Sequence, residues 1–245
     1  MAGNAGRDVQ HWNGVAQAWI QWARTPGHDV FWAYRAALAA YIGQGRGQAL
    51  EVGCGEGRVS RLLASLGYEV TAAEPVPRLL EAARQAESAQ RYVACEASRL
   101  PFADGSFDLV VAYNVLMDIE DMPAALAEMR RVMRPAATLV VSIVHPLADA
   151  GRYDGDAPDA PFIVTQPYFG RKPFEGSESR NGLTMSFFGW TQPLHAYADA
   201  LEAAGLAITS LREPVPEASP AASGLERWKR LPLFLWLKAQ RLPPA

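Results

Sequence analysis

The stretch Ala49-Leu50-Glu51-Val52-Gly53-Cys54-Gly55-Glu56-Gly57-Arg58 constrains this chain more than any other. A short apolar run ends in three glycines at alternate positions, and an amphipathic pattern starts at once in Val59-Ser60-Arg61-Leu62-Leu63. That is the layout of a buried strand feeding a tight turn at the start of a helix. Glycine permits the sharp reversal and leaves bare backbone for a ligand to approach. A helix start adds unpaired N–H groups and a partial positive charge. Such a turn suits a nucleotide-like ligand with anionic or hydroxyl-rich parts. Spacing narrows the choice. A dinucleotide fingerprint wants a small residue closing G-x-G-x-x-G, and counting from Gly53 puts Arg58 there.

From Gln48 the chain alternates strand and helix, which predicts an α/β fold with a doubly wound, mostly parallel sheet. Strands are expected near 48–53, 69–73, 92–95, 108–113 and 138–144, with helices near 58–66, 78–87 and 122–133. A helix over 193–204 and strands over 207–211 and 233–239 extend the same sheet. Ahead of residue 48, apolar spacing predicts a helix through Trp12–Ala23 and another over 29–42, with Asp29 as its N-cap. Their many aromatic rings either pack on the sheet or close over the site. Between 146 and 190 the rhythm breaks into Gly, Pro, Asp and aromatic residues. There Phe162–Thr165 and Leu183–Phe188 are expected to pair as one capping hairpin. Glu213–Gly224 reads as a Pro-rich loop.

With 245 residues, 49% of them hydrophobic and 20% charged, the chain can bury one sizeable core. The expected organisation is a single domain over 1–245, with a helical lid at 1–47 and a substrate-cap insertion at 146–190. The net charge of −3 and the lack of a long basic run point away from nucleic acid or an anionic membrane as partner. Cys54 and Cys95 form no C-x-x-C pair and read as reduced thiols of a cytoplasmic protein. The sequence shows no leader core and no apolar run approaching the roughly 20 residues of a membrane span. None of the His spacings reads as a metal site.

Later segments sharpen the turn's meaning. Glu74 ends the second strand about 20 residues after the glycines, where a nucleotide-binding sheet sets an acid against ribose hydroxyls. Glu96-Ala97-Ser98-Arg99-Leu100-Pro101-Phe102-Ala103-Asp104-Gly105-Ser106-Phe107-Asp108-Leu109-Val110 follows the third strand. Next come Asn114-Val115-Leu116-Met117-Asp118-Ile119 and Met129-Arg130-Arg131-Val132-Met133-Arg134-Pro135. Taken with the acid and G-x-G-x-G of the turn, these segments resemble the class I S-adenosylmethionine-dependent methyltransferases of the small-molecule type. The likeness covers about residues 48–145 in order and spacing. It departs at Ala136-Ala137, where that family usually has two glycines.

The resemblance implies a seven-stranded sheet of order 3-2-1-4-5-7-6 with the last strand antiparallel. S-adenosyl-L-methionine is then expected across the ends of strands one to four. Carried over by position, Gly53, Cys54 and Gly55 would face the cofactor's methionine end with backbone atoms, Gly57 would belong to the same cofactor-binding turn, and Glu51 would orient the turn and the cofactor ammonium. Glu74, with Pro75 beside it, would hold the ribose. Glu96 and Ala97 would hold the adenine, and Asn114 would border the amino-acid end.

The expected activity is in-line methyl transfer to a small, partly hydrophobic acceptor such as a secondary metabolite. His145 directly follows the fifth strand, whose end faces the crevice, and is the candidate general base. Trp22, His28, Tyr168 and Phe188 are the candidate acceptor contacts. His195 is a weaker candidate, and His11 reads as exposed. Two other readings compete. A nicotinamide-dependent oxidoreductase shares the strand, turn and acid but leaves the L-P-F and G-S-F-D segments unexplained. A noncatalytic S-adenosylmethionine-binding protein would retain the cofactor without turnover. The residues leave open N-, O- or C-transfer and the oligomeric state.

Overall fold

A computed structural model describes residues 6–25, 27–155, 157–180, 182–217 and 225–242. Helices α1 (Arg7–Arg24) and α2 (Phe31–Ile42) precede β1 (Gln48–Val52), α3 (Arg58–Ser65), β2 (Glu69–Ala73), α4 (Pro77–Gln85) and β3 (Arg91–Val93). The chain continues through β4 (Phe107–Tyr113), α5 (Met122–Val132), β5 (Met133–Val144) and the single turn α6 (Pro146–Asp149). Four cap strands follow: β6 (Gly151–Tyr153), β7 (Phe162–Val164), β8 (Lys172–Arg180) and β9 (Leu183–Thr191). Then come α7 (Leu194–Ala203), β10 (Leu206–Arg212) and β11 (Phe234–Arg241).

The main sheet runs β10-β11-β5-β4-β1-β2-β3, with β11 antiparallel to both of its neighbours. Counted along the sheet's own strands this is the expected 3-2-1-4-5-7-6 order. Helices cover both faces, so both sets of alternating side chains are buried and the strands read as continuous apolar runs. Leu109 and Val111 of β4 pack with Leu38, Leu62, Leu63 and Trp236 on one side. Val110 and Ala112 pack with Leu126, Met129, Leu201 and Leu237 on the other. Each fully buried aliphatic side chain contributes about 1.5–3 kcal/mol. Helix starts are marked locally: Pro77 opens α4, and the Asp121 carboxylate accepts the Ala124 N–H at 3.0 Å at the head of α5.

Two expectations change. Phe162–Val164 pairs with Gly151–Tyr153, and Leu183–Thr191 pairs with Lys172–Arg180, so the cap holds two hairpins rather than one. The missed strand, Lys-Pro-Phe-Glu-Gly-Ser-Glu-Ser-Arg, is polar enough to read as loop. The Asn-Gly that follows it is a hairpin signal in the sequence, and Gly182 has φ +80°. At α2 the N-cap position belongs to Val30, although Asp29 Oδ1 does accept the Phe31 N–H at 2.7 Å. Of the Pro-rich loop, 218–224 lie outside the described residues. Among the described residues no helix is long and apolar enough to cross a membrane.

The N-terminal helices are held by charge as well as by packing. Ala16 of α1 packs on Val76 and Leu79 at the start of α4. Glu56, only 1% exposed, accepts from Arg24 of α1 at 2.8 Å and from Arg61 of α3 at 2.7 Å. Arg24 also donates to the Ala82 carbonyl of α4. Removing one partner of a buried ion pair costs about 3–5 kcal/mol. Arg24 and Arg61 are each about a third exposed, which points to the low end. Glu56→Gln is therefore expected to destabilise the protein by about 3 kcal/mol in urea titration. Hydrogen exchange should quicken in α1 more than in β1 and β4, and equal quickening in all three would remove the clamp reading.

Candidate functional site

The turn between β1 and α3 puts all three of its glycines at positive φ, with Gly53 at +70°, Gly55 at +55° and Gly57 at +90°. Two of them are glycine because protein fills the space. A Cβ on Gly53 would meet Val115 Cγ2 at 2.4 Å, and one on Gly57 would meet Ser88 Oγ at 2.3 Å. At Gly55 the contact is milder, since the Trp19 Nε1 would lie 3.1 Å from a Cβ there. Arg58 secures that ring. Its guanidinium is buried in an ion pair with Asp29 and lies 4.7 Å from the Trp19 ring and 4.9 Å from the Phe31 ring. Trp19 therefore forms a wall over the turn, which the sequence left open between packing and lid.

Carboxyl groups gather around this turn at the strand ends. Glu74, following β2, accepts the Gly55 N–H at 2.9 Å and the Val76 N–H at 3.0 Å, with Pro75 between the two bonded residues. Burial pushes its carboxyl up to about 7, and the two N–H donors act against that. Glu51 is 2% exposed and accepts from the Ser60 hydroxyl. Burial raises it to about 8, opposed by Ser60 and by Arg58. Cys54 is buried, and desolvation with the neighbouring Glu51 and Glu74 raises its thiol well above the usual range.

Past β3, Cys95 lies within electrostatic reach of both Glu74 and Glu96. Glu96 is exposed, and Ala97 packs against the main core. Asn114 sits at φ +52° immediately after β4, with its N–H on the Ser142 carbonyl at 2.7 Å and its side-chain oxygen accepting from the Ser142 hydroxyl. The ends of β1 to β4 thus carry the sequence-predicted cofactor residues along one edge of the sheet.

The predicted acceptor residues divide. His145 caps α6 by accepting the Leu147 N–H on Nδ1, while Nε2 lies 3.1 Å from Glu213 Oε1. With Nδ1 accepting, Nε2 holds the proton and donates to Glu213, so neither nitrogen has a free lone pair. Desolvation lowers the His145 pKa, with Glu213 acting against it. Trp22 and His28 are buried edge to face, and His28 Nε2 lies 2.9 Å from the Arg180 carbonyl. Arg180 in turn donates to the His28 carbonyl. That pair straps the β8–β9 tip to the connection between α1 and α2. Tyr168 lines a narrow cleft with Pro146, Asp149, Thr191 and Gln192. Phe188 packs against Trp190 and His11. His11 is half-buried with Nε2 3.1 Å from the Ser186 carbonyl, not exposed as expected. His195 is exposed.

Sequence reasoning passed over two acids. Asp118, in the loop after β4, and Asp149, at the end of α6, are both raised chiefly by burial, Asp149 to about 7. Asp118 lay inside a motif already singled out, four residues beyond Asn114. Asp149 carried no local signal.

The methyltransferase domain family matches residues 50–141, which span β1 to β5 and hence the glycine turn, Glu74, Glu96 and Asn114. The chain is 37% identical over 108 residues to a malonyl-[acyl-carrier protein] O-methyltransferase of Serratia marcescens, covering 42% of each chain. It is 39% identical over 115 residues to a demethylmenaquinone methyltransferase of Mycobacterium sp. (strain KMS), covering 47% of this chain and 49% of that one. Each match thus spans under half of the curated relative. In fold, the chain resembles a crystal structure of an S-adenosylmethionine dependent methyltransferase from Mesorhizobium loti. The TM-score is 0.65 and the identity 22%, over 87% of this chain and 98% of that one.

The raised acids give a signed prediction. An unfolded glutamate titrates near 4.5, whereas folded Glu74 titrates at about 7. Between those values the folded state holds a proton that the unfolded state has released, so stability falls as pH rises through the window. Glu74→Gln is expected to gain on the wild type by up to about 3 kcal/mol between pH 5 and 8.5, measured by urea titration of the ligand-free proteins. A constant difference across that range would show that Glu74 does not carry the effect.

Proposed function

We propose that this chain, a member of the class I S-adenosylmethionine-dependent methyltransferases, transfers a methyl group in-line to a small, partly hydrophobic acceptor. The observation that carries this reading is the Glu74 carboxyl at the end of β2, hydrogen-bonded to the backbone of Gly55 in the turn after β1. It fixes a buried acceptor for ribose hydroxyls beside the glycine turn, at the end of the strand next to β1. Hydrogen bonds to such a charged group are worth about 1.5–3 kcal/mol each. The residues fit the cofactor chemically, with Glu74 toward the ribose, Glu96 and Ala97 toward the adenine, and the Gly53–Gly55 backbone and Asn114 toward the methionine end. Glu51 lies behind the turn and orients it through Ser60.

The cofactor, when bound, supplies a methyl group already activated on a sulfonium. The protein's task is then to hold a nucleophile in line at about 3–3.5 Å, a contribution of roughly 7–11 kcal/mol. Trp19 walls the turn against water. Tyr168, Phe188 and Trp190 give the acceptor side an aromatic lining, while Trp22 and His28 brace the hairpin that carries part of it. His145 holds the corner between β5 and α6 rather than serving as base, because both ring nitrogens are engaged. The acceptors named for the two curated relatives differ from each other, so the acceptor is read from this chain's own walls. Two cysteines without a disulfide favour work in the cytoplasm.

Thermal shift with S-adenosylhomocysteine, S-adenosylmethionine and NAD tests the reading. At 100 times its dissociation constant a ligand stabilises by about 2.7 kcal/mol, roughly 5–11 °C for a domain of this size. Both sulfur ligands are expected to give such a shift in the wild type and to lose most of it in Glu74→Ala. A shift with NAD alone would sink the proposal. Retention of the sulfur ligands without methyl transfer to any of a broad acceptor panel would favour a binding protein.

A further inference from the structure

In Leu139-Val140-Val141-Ser142-Ile143-Val144 of β5 a single polar side chain interrupts an apolar run. Ser142 is 1% exposed and lies inside the sheet, opposite Tyr113 of β4 and Trp236 of β11. A hydroxyl buried there is costly unless it is hydrogen-bonded, and its partner is Asn114. The Ser142 hydroxyl donates to Asn114 Oδ1 at 2.7 Å, and the Ser142 carbonyl accepts the Asn114 N–H at 2.7 Å. One residue therefore holds both the backbone and the amide of Asn114, which sits at φ +52°. Asparagine tolerates that left-handed conformation better than most side chains do. The following residue, Val115, packs on Gly53 closely enough that a Cβ on the glycine would collide with it. β4 also pairs with β1 in parallel, Glu51 opposite Val111. Asn114 is fixed in this way beside the start of the glycine turn.

We propose that Ser142 is a positioning residue, which turns the Asn114 amide so that Nδ2 donates to the carboxylate at the amino-acid end of the cofactor. This rests on the methyl-transfer reading above. With Oδ1 drawn toward Ser142, the nitrogen takes the other branch of the planar amide. That nitrogen can only donate. The amino-acid end offers it a carboxylate, which only accepts, and an ammonium, which only donates and cannot pair with it. An amide that no neighbour orients could present either of its ends, because oxygen and NH₂ are nearly the same size. The buried hydroxyl removes that choice and so decides which of the two charged groups Asn114 recognises. Ser142 acts only through Asn114.

The test is calorimetric titration with two ligands, S-adenosylhomocysteine and 5′-methylthioadenosine, the same nucleoside thioether without the amino-acid end. The wild type is expected to bind the first about tenfold or more the tighter, the worth of a hydrogen bond to a charged group. Ser142→Ala should cut that ratio by about fivefold, the worth of one neutral hydrogen bond. Its affinity for 5′-methylthioadenosine should stay at the wild-type value, which also shows that the variant is folded. Asn114→Asp keeps an acceptor for the Ser142 hydroxyl and suits the same φ, but it exchanges the donor for a charged oxygen. It should lower the ratio below that of Ser142→Ala. An unchanged ratio in Ser142→Ala, or an equal loss with both ligands, overturns the proposal and leaves Ser142 a packing role. Tighter S-adenosylhomocysteine binding by Asn114→Asp overturns it as well, since the amide oxygen would then face the ammonium. If the wild type binds neither ligand, the methyl-transfer reading itself has failed, so the two failures are told apart.

Discussion

Glu56 and Arg58, the charged residues interleaved with the glycines of the turn, decide where the N-terminal helices lie. Each is buried, and a buried charge without a partner is strongly disfavoured. Glu56 finds Arg24 at the end of α1, and Arg58 finds Asp29 just ahead of α2. The same short turn that exposes backbone to a ligand therefore fixes its own cover. From that anchor the rest follows in sequence. Trp19 comes to lie on Gly55, α1 runs across α4, and its other flank meets β9 through His11 and Ser186 and through Trp19 and Phe187. The hairpin then closes over the loop after β4. A single pair of ionic anchors thus connects the cofactor edge with the acceptor side.

Much of this was legible in the sequence because it is local. The apolar runs fixed both the strands and their burial on two faces, and an acid at the end of each early strand could be found by counting from the glycines. The turn's meaning was partly legible: Arg58 excluded a dinucleotide fingerprint by its size, but nothing in its neighbourhood announced Asp29 as partner, since 29 residues separate them. The β8 strand escaped because Lys172–Arg180 alternates without an apolar face. Its register is set by Leu183–Thr191 and by α1 beneath the hairpin, which are tertiary facts.

His145 shows the same limit at a single residue. Its place after β5 was correctly read, yet a position at the crevice does not determine where an imidazole's nitrogens point. The Leu147 N–H and Glu213 claim them, and Glu213 comes from beyond β10, 68 residues away. Asp149 was invisible for the complementary reason. An acid at the end of a one-turn helix looks solvated in sequence, and only the packing of Tyr168, Thr191 and Gln192 around it makes its charge expensive.

That expense is common to Glu51, Glu74, Asp118 and Asp149, all raised chiefly by burial. Arg58, paired with Asp29, offsets that burial only in part at Glu51, and Arg24 and Arg61 are paired with Glu56. Along the strand ends the protein therefore keeps buried carboxyl groups whose burial is only partly offset, an arrangement that costs stability and that a ligand donating hydrogen bonds there would relieve.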